Sequence, residues 1–140
     1  MAKKLILDST VIVKWLNQNK ESDIEKADKI LDEARLGSVI LISPELSKYE
    51  LIQIFHKNKN LTQTESKIPL GAIFELPIQF IALTPDLAKE AYAIAVAYDL
   101  SFYLGVYLAL TEQKNATYIT ATLDKNIKNI DIRCLELKDY

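Results

Sequence analysis

The sequence predicts an α/β fold in which helices cover both faces of a parallel sheet. Two observations carry this: short, nearly continuous apolar runs alternate with amphipathic stretches of helical period, and the first run passes directly into a helix with no hairpin turn between. At 140 residues, 49% apolar and 26% charged, the chain is long enough to bury a real core and reads as a single domain over residues 1–140.

Leu5-Ile6-Leu7 is a buried strand that ends at Asp8, after which Val11, Ile12, Trp15 and Leu16 recur at helical spacing. Asn17 to Glu25 is polar and reads as a loop. Ile24, Ala27, Ile30, Leu31 and Ala34 then mark one face of a second helix that stops before Gly37. Val39-Ile40-Leu41-Ile42 is the next strand, and Ser43-Pro44 is expected to open a third helix. Leu51, Ile54 and Phe55 would form its inward stripe, and Lys57-Asn58-Lys59-Asn60 its exposed end. Between Thr62 and Glu75, Pro69 and Gly71 predict an interrupted helix rather than one straight rod. Ile78 to Leu83 is a strand, and Thr84-Pro85 caps a helix with Leu87, Ala88, Ala91, Ile94, Ala95 and Tyr98 on its apolar face. Asp99-Leu100-Ser101 breaks that helix, and another runs from Phe102 to Lys114. A strand from Ala116 to Ala121, a polar turn from Asp124 to Asn129 and a last strand from Ile132 to Leu137 complete about five strands.

Composition narrows the chemistry. One cysteine, Cys134, excludes an internal disulfide and a multi-thiolate zinc site, and the single histidine excludes multi-histidine metal centres. His56 lies beside the exposed lysine run and reads as a surface residue. No glycine-rich phosphate loop follows the first strand, so the Walker-type and dinucleotide fingerprints are missing. The longest apolar runs fall short of a bilayer span, and Met1-Ala2-Lys3-Lys4 leads into a strand without a cleavage site. The expectation is therefore a cytoplasmic protein with no membrane partner. With a net charge of -2 the molecule as a whole does not attract nucleic acid, so any such site is local. Hydrolysis, if present, runs on carboxylates.

Right-handed crossovers in a parallel sheet collect the strand C-termini at one edge, where open α/β sheets place ligands. Asp8 stands at such an end, where a helix cap and a metal ligand are equally good readings and do not exclude each other. Glu50, beside the inward stripe of the third helix, either turns toward the same edge or is an ordinary solvated glutamate.

Four segments occur in order: the strand ending in Asp8-Ser9-Thr10, then Ser43-Pro44-Glu45-Leu46-Ser47-Lys48-Tyr49-Glu50, then Leu100-Ser101-Phe102-Tyr103-Leu104-Gly105-Val106-Tyr107-Leu108-Ala109-Leu110, and then Tyr118-Ile119-Thr120-Ala121-Thr122-Leu123-Asp124. With these the chain resembles the PIN domains, and among them the toxin ribonucleases of VapBC toxin–antitoxin pairs, over essentially Leu5 to Leu137. The resemblance implies a three-layer α/β/α fold and an acidic pocket that binds Mg²⁺ or Mn²⁺ for endoribonuclease activity on RNA. It also implies a homodimer neutralised by a small antitoxin protein. By position, Asp8 is similar to the first metal-binding aspartate of the family and Glu50 to the glutamate of its second motif.

The chain departs from the family at Gly105, where the third carboxylate normally stands; Asp99, six residues earlier, lies before the helix begins. Thr120-Ala121-Thr122 keeps the frame of the family's Thr-x-Asp motif without its acid. Thr122-Leu123-Asp124 keeps the letters after a slip of two residues, so Asp124 is either the remaining catalytic and metal-binding carboxylate or a turn residue. Mg²⁺ needs few direct protein ligands when substrate phosphate completes its shell, so Asp8, Glu50 and Asp124 still suit a weakened nuclease. Gly105 suits the alternative, a degenerate PIN domain that binds RNA or a protein without cutting.

Around the pocket, Lys14, Lys57, Lys59 and Lys125 are candidates for phosphate contacts, and Asn126 has no independent warrant. Tyr98, Tyr103 and Tyr107 either stack on bases or, for the last two, pack in a core or dimer interface. The apolar faces near Trp15 and from Ile24 to Ala34 serve equally as core or as a partner groove.

Overall fold

The structure is a computed structural model that describes residues 2–17, 21–58 and 61–140. Its elements are β1 (Lys3–Leu7), α1 (Ser9–Leu16), α2 (Ile24–Arg35), β2 (Val39–Pro44), α3 (Leu46–Lys57), α4 (Gln63–Ile73), β3 (Ile78–Ile81), α5 (Pro85–Tyr98), α6 (Phe102–Lys114), β4 (Thr117–Thr120) and β5 (Cys134–Glu136). Short 3₁₀ turns follow at Lys125–Ile127 and Leu137–Asp139.

All pairings are parallel in the order β3-β2-β1-β4-β5, with Ile6 opposite both Ile42 and Tyr118. Side chains alternate across a strand, so β1 sends Leu5 and Leu7 to one face and Ile6 to the other. Leu5 and Leu7 join Val11, Ile12, Ala27, Ile30, Leu51 and Phe55 in a core with α1, α2 and α3. Ile6 joins Leu87, Ala91, Val106 and Leu110 in a second core under α5 and α6. These are the three layers, α/β/α.

Most helix ends obey local chemistry. Thr84 and Ser101 cap α5 and α6 by accepting from Leu87 N at 3.1 Å and Leu104 N at 3.1 Å, and Pro85 fills the first position of α5, where no N–H bond is lost. Gly37, at φ 84°, ends α2 in the left-handed region that suits glycine.

Several expectations shift. Pro44 belongs to β2, opposite Ile81, and α3 begins only at Leu46, because Glu45 N–H still bonds the sheet side at Ile81 O, 2.9 Å away. The inward stripe of α3 is Ser47, Leu51 and Phe55 at intervals of four, while Ile54 turns outward. The predicted interruption of α4 is absent. Pro69 forfeits one backbone bond, but a Thr62–Glu65 capping box starts the helix and buried Ile73 anchors its end. The last strand is shorter than expected, since Leu137 already begins a 3₁₀ turn. Of the loop expected before α2, residues 18–20 lie outside the described residues, as do Lys59 and Asn60 of the lysine-rich stretch.

Candidate functional site

Asp8 leaves β1 with its N–H on Ile119 O of β4 at 3.0 Å, and it caps α1 by accepting from Thr10 N at 3.0 Å. The capping and functional readings thus coincide at one residue. Oδ1 also accepts from the Ser9 hydroxyl at 3.2 Å, and Oδ2 accepts from the hydroxyls of Tyr118 and, at 3.1 Å, Thr120. Four protein donors therefore converge on the two oxygens.

Glu50 does turn toward this edge. Its Oε1 accepts from the Tyr107 hydroxyl at 2.5 Å, and the Ser9 hydroxyl, which donates to Asp8 Oδ1, stands near the same carboxylate. Burial, more than anything else, raises the Glu50 carboxyl above its ordinary 4.5; the negative charge of Asp8 adds to the rise, and the bonds from Tyr107 and Ser9 oppose it. That Asp8 is felt at Glu50 shows the two acids to be electrostatic neighbours.

Both tyrosines are buried side chains whose polar tip needs a partner. Burial and the nearby carboxylates push both phenols far above their ordinary range, so each is a hydrogen-bond donor and not a base. Sequence reasoning treated Tyr103 and Tyr107 alike; the structure separates them, with Tyr107 2% exposed on Glu50 and Tyr103 60% exposed in solvent. Tyr118 was missed as a site residue. Its signal was available, because a tyrosine inside a buried strand that pairs with the strand carrying Asp8 must place its hydroxyl on something polar.

Asp124 lines the same cleft of about 300 Å³ as Asp8, together with Thr10, Leu104, Tyr118 and Thr122. Its carboxylate, however, caps the turn after β4 by accepting from Asn126 N at 2.8 Å. Asn126 in turn donates to Asp99 O at 3.1 Å. Gly105 lies elsewhere: a Cβ there would sit 2.4 Å from Ala91 O of α5, so a side chain at this position would point at α5. The α6 residue that lines the cleft beside Asp8 is Leu104.

Lys14 corrects another expectation. It is 3% exposed, and its ammonium is held by Glu21 Oε1 at 2.9 Å and Ser22 O at 2.8 Å, which ties down the segment before α2 and keeps this ammonium buried away from the surface a phosphate could reach. Lys57, Lys125 and His56 are exposed, and Lys59 lies outside the described residues. Trp15 donates its indole N–H to Ala27 O at 2.8 Å, and Ala27, Ile30 and Leu31 are buried, so these apolar faces join α1 to α2.

A divalent cation of the kind an acidic centre holds needs carboxylate oxygens free to face one point. The residues present do not fit that requirement. The two Asp8 oxygens are engaged by four donors between them, Glu50 Oε1 is engaged by Tyr107, Leu104 and Thr122 are non-acidic walls, and Asp124 Oδ1 caps its own turn. Among the described residues no group of three or more His, Cys, Asp or Glu could hold a metal ion. Nor, among them, is any single helix long and apolar enough to cross a membrane.

The model of the PIN domain family matches residues 5–133 of the chain. Similar solved structures include VapBC2 from Rickettsia felis bound to a DNA fragment from its promoter, at 14% identity and a TM-score of 0.70, covering 95% of this chain and 98% of that one. DNA-bound VapBC from Salmonella typhimurium matches at 14% identity and a TM-score of 0.68, covering 98% of this chain and 99% of that one. VapC20 of Mycobacterium tuberculosis, a Sarcin-Ricin loop cleaving toxin, matches at 12% identity and a TM-score of 0.66, covering 91% and 95%. Comparison with curated proteins finds no match.

Proposed function

The chain belongs to the PIN domain family, and from that premise we propose that it is a toxin-type PIN domain that binds RNA, with its nuclease centre reduced to the Asp8–Glu50 pair. The observation that carries this reading is the state of that pair: the two acids lie within each other's electrostatic reach, protein hydroxyls donate to both, and among the described residues no group of three or more His, Cys, Asp or Glu could hold a metal ion. The Sarcin-Ricin loop named for one structural neighbour supports RNA as the ligand class. So do the threonines of the cleft, exposed Lys125 and Lys128 on the adjoining turn, and the exposed aromatic rings of Tyr49, Phe102 and Tyr103 around a second cleft beside α3 and α6.

A second reading, an endoribonuclease dependent on Mg²⁺ or Mn²⁺, is favoured by the electrostatic proximity of Asp8 and Glu50, the two carboxylates that the sequence resemblance likens to the family's. Wild-type protein and Asp8→Asn incubated with structured RNAs and either ion, with binding followed by anisotropy, decide between the two. We expect binding without cutting that depends on Asp8. Cutting lost in Asp8→Asn establishes the nuclease instead, and absence of both binding and cutting rejects both readings.

We also propose a small antitoxin partner, on the likeness to VapBC complexes, and a homodimer through the apolar surface that includes Tyr92 and Val96 of α5. The cytoplasm is the compartment where RNA and such a partner would be met.

A further inference from the structure

We propose that Tyr107 and Tyr118 are built-in substitutes for a cation: their hydroxyls occupy Glu50 Oε1 and Asp8 Oδ2, one oxygen of each acid, and so close this acid pair to divalent metals. The inference concerns the pair itself and stands whether or not RNA is the ligand.

Two neighbouring carboxylates repel unless positive charge or donated protons lie between or upon them. In this chain protein groups donate to both acids. Tyr107 reaches Glu50 from α6, Tyr118 reaches Asp8 from β4, Thr120 adds a second bond to the same Asp8 oxygen, and Ser9 stands by both acids. The rings of the two tyrosines pack against each other with centroids 5.7 Å apart, so each fixes the direction of the other's hydroxyl. Tyr107 is further pinned because α6 is a buried helix from Gly105 to Thr111. A cation approaching Asp8 would have to displace the Tyr118 and Thr120 hydroxyls from Oδ2, or the Thr10 N–H and Ser9 hydroxyl from Oδ1. Displacing the tyrosine strands a buried phenol with no partner, a penalty of the same order as a lost hydrogen bond to a charged group. Each acid has its own phenol donor, and the two phenols are fixed by their ring contact.

The test is direct Mn²⁺ binding in the absence of RNA, read by the loss of the free-ion spin-resonance signal and by the tyrosine ultraviolet difference spectrum. Wild type, Asp8→Asn and the double variant Tyr107→Phe/Tyr118→Phe are compared, each checked for a folded circular-dichroism spectrum. We expect wild type and Asp8→Asn to bind Mn²⁺ equally weakly with no tyrosine signal, and the double variant to bind at least tenfold more tightly. Mn²⁺ binding by wild type that Asp8→Asn abolishes overturns the proposal, even if the double variant fails to fold. A folded double variant that binds no better than wild type overturns it too, since the phenols would then not be what closes the pair.

Discussion

The rings of Tyr107 and Tyr118 lie 5.7 Å apart at an interplanar angle of 42°, and their hydroxyls diverge onto two different carboxylates, Glu50 and Asp8. Four elements, α6, β4, α3 and the end of β1, are thereby tied at one point. Tyr118→Phe keeps the ring and removes the donor, leaving a carboxylate oxygen one bond short. Urea denaturation should show a loss of about 1.5–3 kcal/mol, the range for hydrogen bonds to charged groups. An unchanged midpoint would mean that the bond contributes nothing to stability.

Stability should also carry the signature of Glu50. Its carboxyl is raised above 4.5 in the folded protein, chiefly by burial. The native state therefore holds that proton more tightly than the unfolded chain does, so the stabilising contribution is complete below the unfolded value and is lost as pH rises through the folded one. Glu50→Gln removes this dependence and should gain on wild type between about pH 4.5 and neutrality. The gain should stay below about 1 kcal/mol, because the side chain is only half-buried and solvent screens it. Parallel stability–pH curves for the two proteins would contradict this.

Leu104 occupies the α6 wall of the cleft beside Asp8 and Asp124. Leu104→Asp places a third acid there. The variant should be less stable than wild type, from like-charge repulsion and lost apolar contact, and with the Tyr118 and Thr120 hydroxyls still on Asp8 its melting temperature should not change on adding Mn²⁺. A melting temperature that rises with the ion would show that the phenols do not keep the cleft closed once a third acid is supplied.

Gly105→Ala sets two effects against each other. Alanine gains about 1 kcal/mol of helix propensity over glycine. Against this, the new Cβ would stand 2.4 Å from a backbone carbonyl, Ala91 O, that has no rotamer with which to move aside. Overpacking of this kind costs about 1–3 kcal/mol, so calorimetry should find the variant destabilised on balance.

If RNA binds, its salt dependence should distinguish two lysines that the sequence presents alike. Lys125→Gln should lower the salt slope by about one, as for a lost phosphate contact, and Lys14→Gln should leave it unchanged because that ammonium is buried on Glu21 and Ser22. Lys14→Gln should lose stability instead.

What was legible in the sequence follows from the range of the interactions involved. Helix caps and strand periodicity are local, so α5 and α6 fall at the expected residues and the layers follow from alternation in β1. Asp8 could be put at a sheet edge because a strand end assigns direction, whereas the helix pattern left Glu50 open between that edge and solvent. The tyrosine partners are separated from their carboxylates by 57 and 110 positions, a distance over which local pattern carries no information. At Gly105 nothing in the sequence signals the close approach of α5, which only packing reveals. Pro69 shows the converse: a strong local breaker was outweighed by a capping box before it and a buried anchor after it.

Asp8 follows β1, the middle strand of five, which is bonded on one side to β2 and on the other to β4. Amide hydrogens of Leu5 to Leu7 can then exchange with solvent only when neighbouring strands part, whereas β3 and β5, each bonded on one side, can fray separately. The acid end of the molecule should keep its shape through partial opening of the periphery, and an isotope-labelling time course would record the centre as the slowest region to take up deuterium.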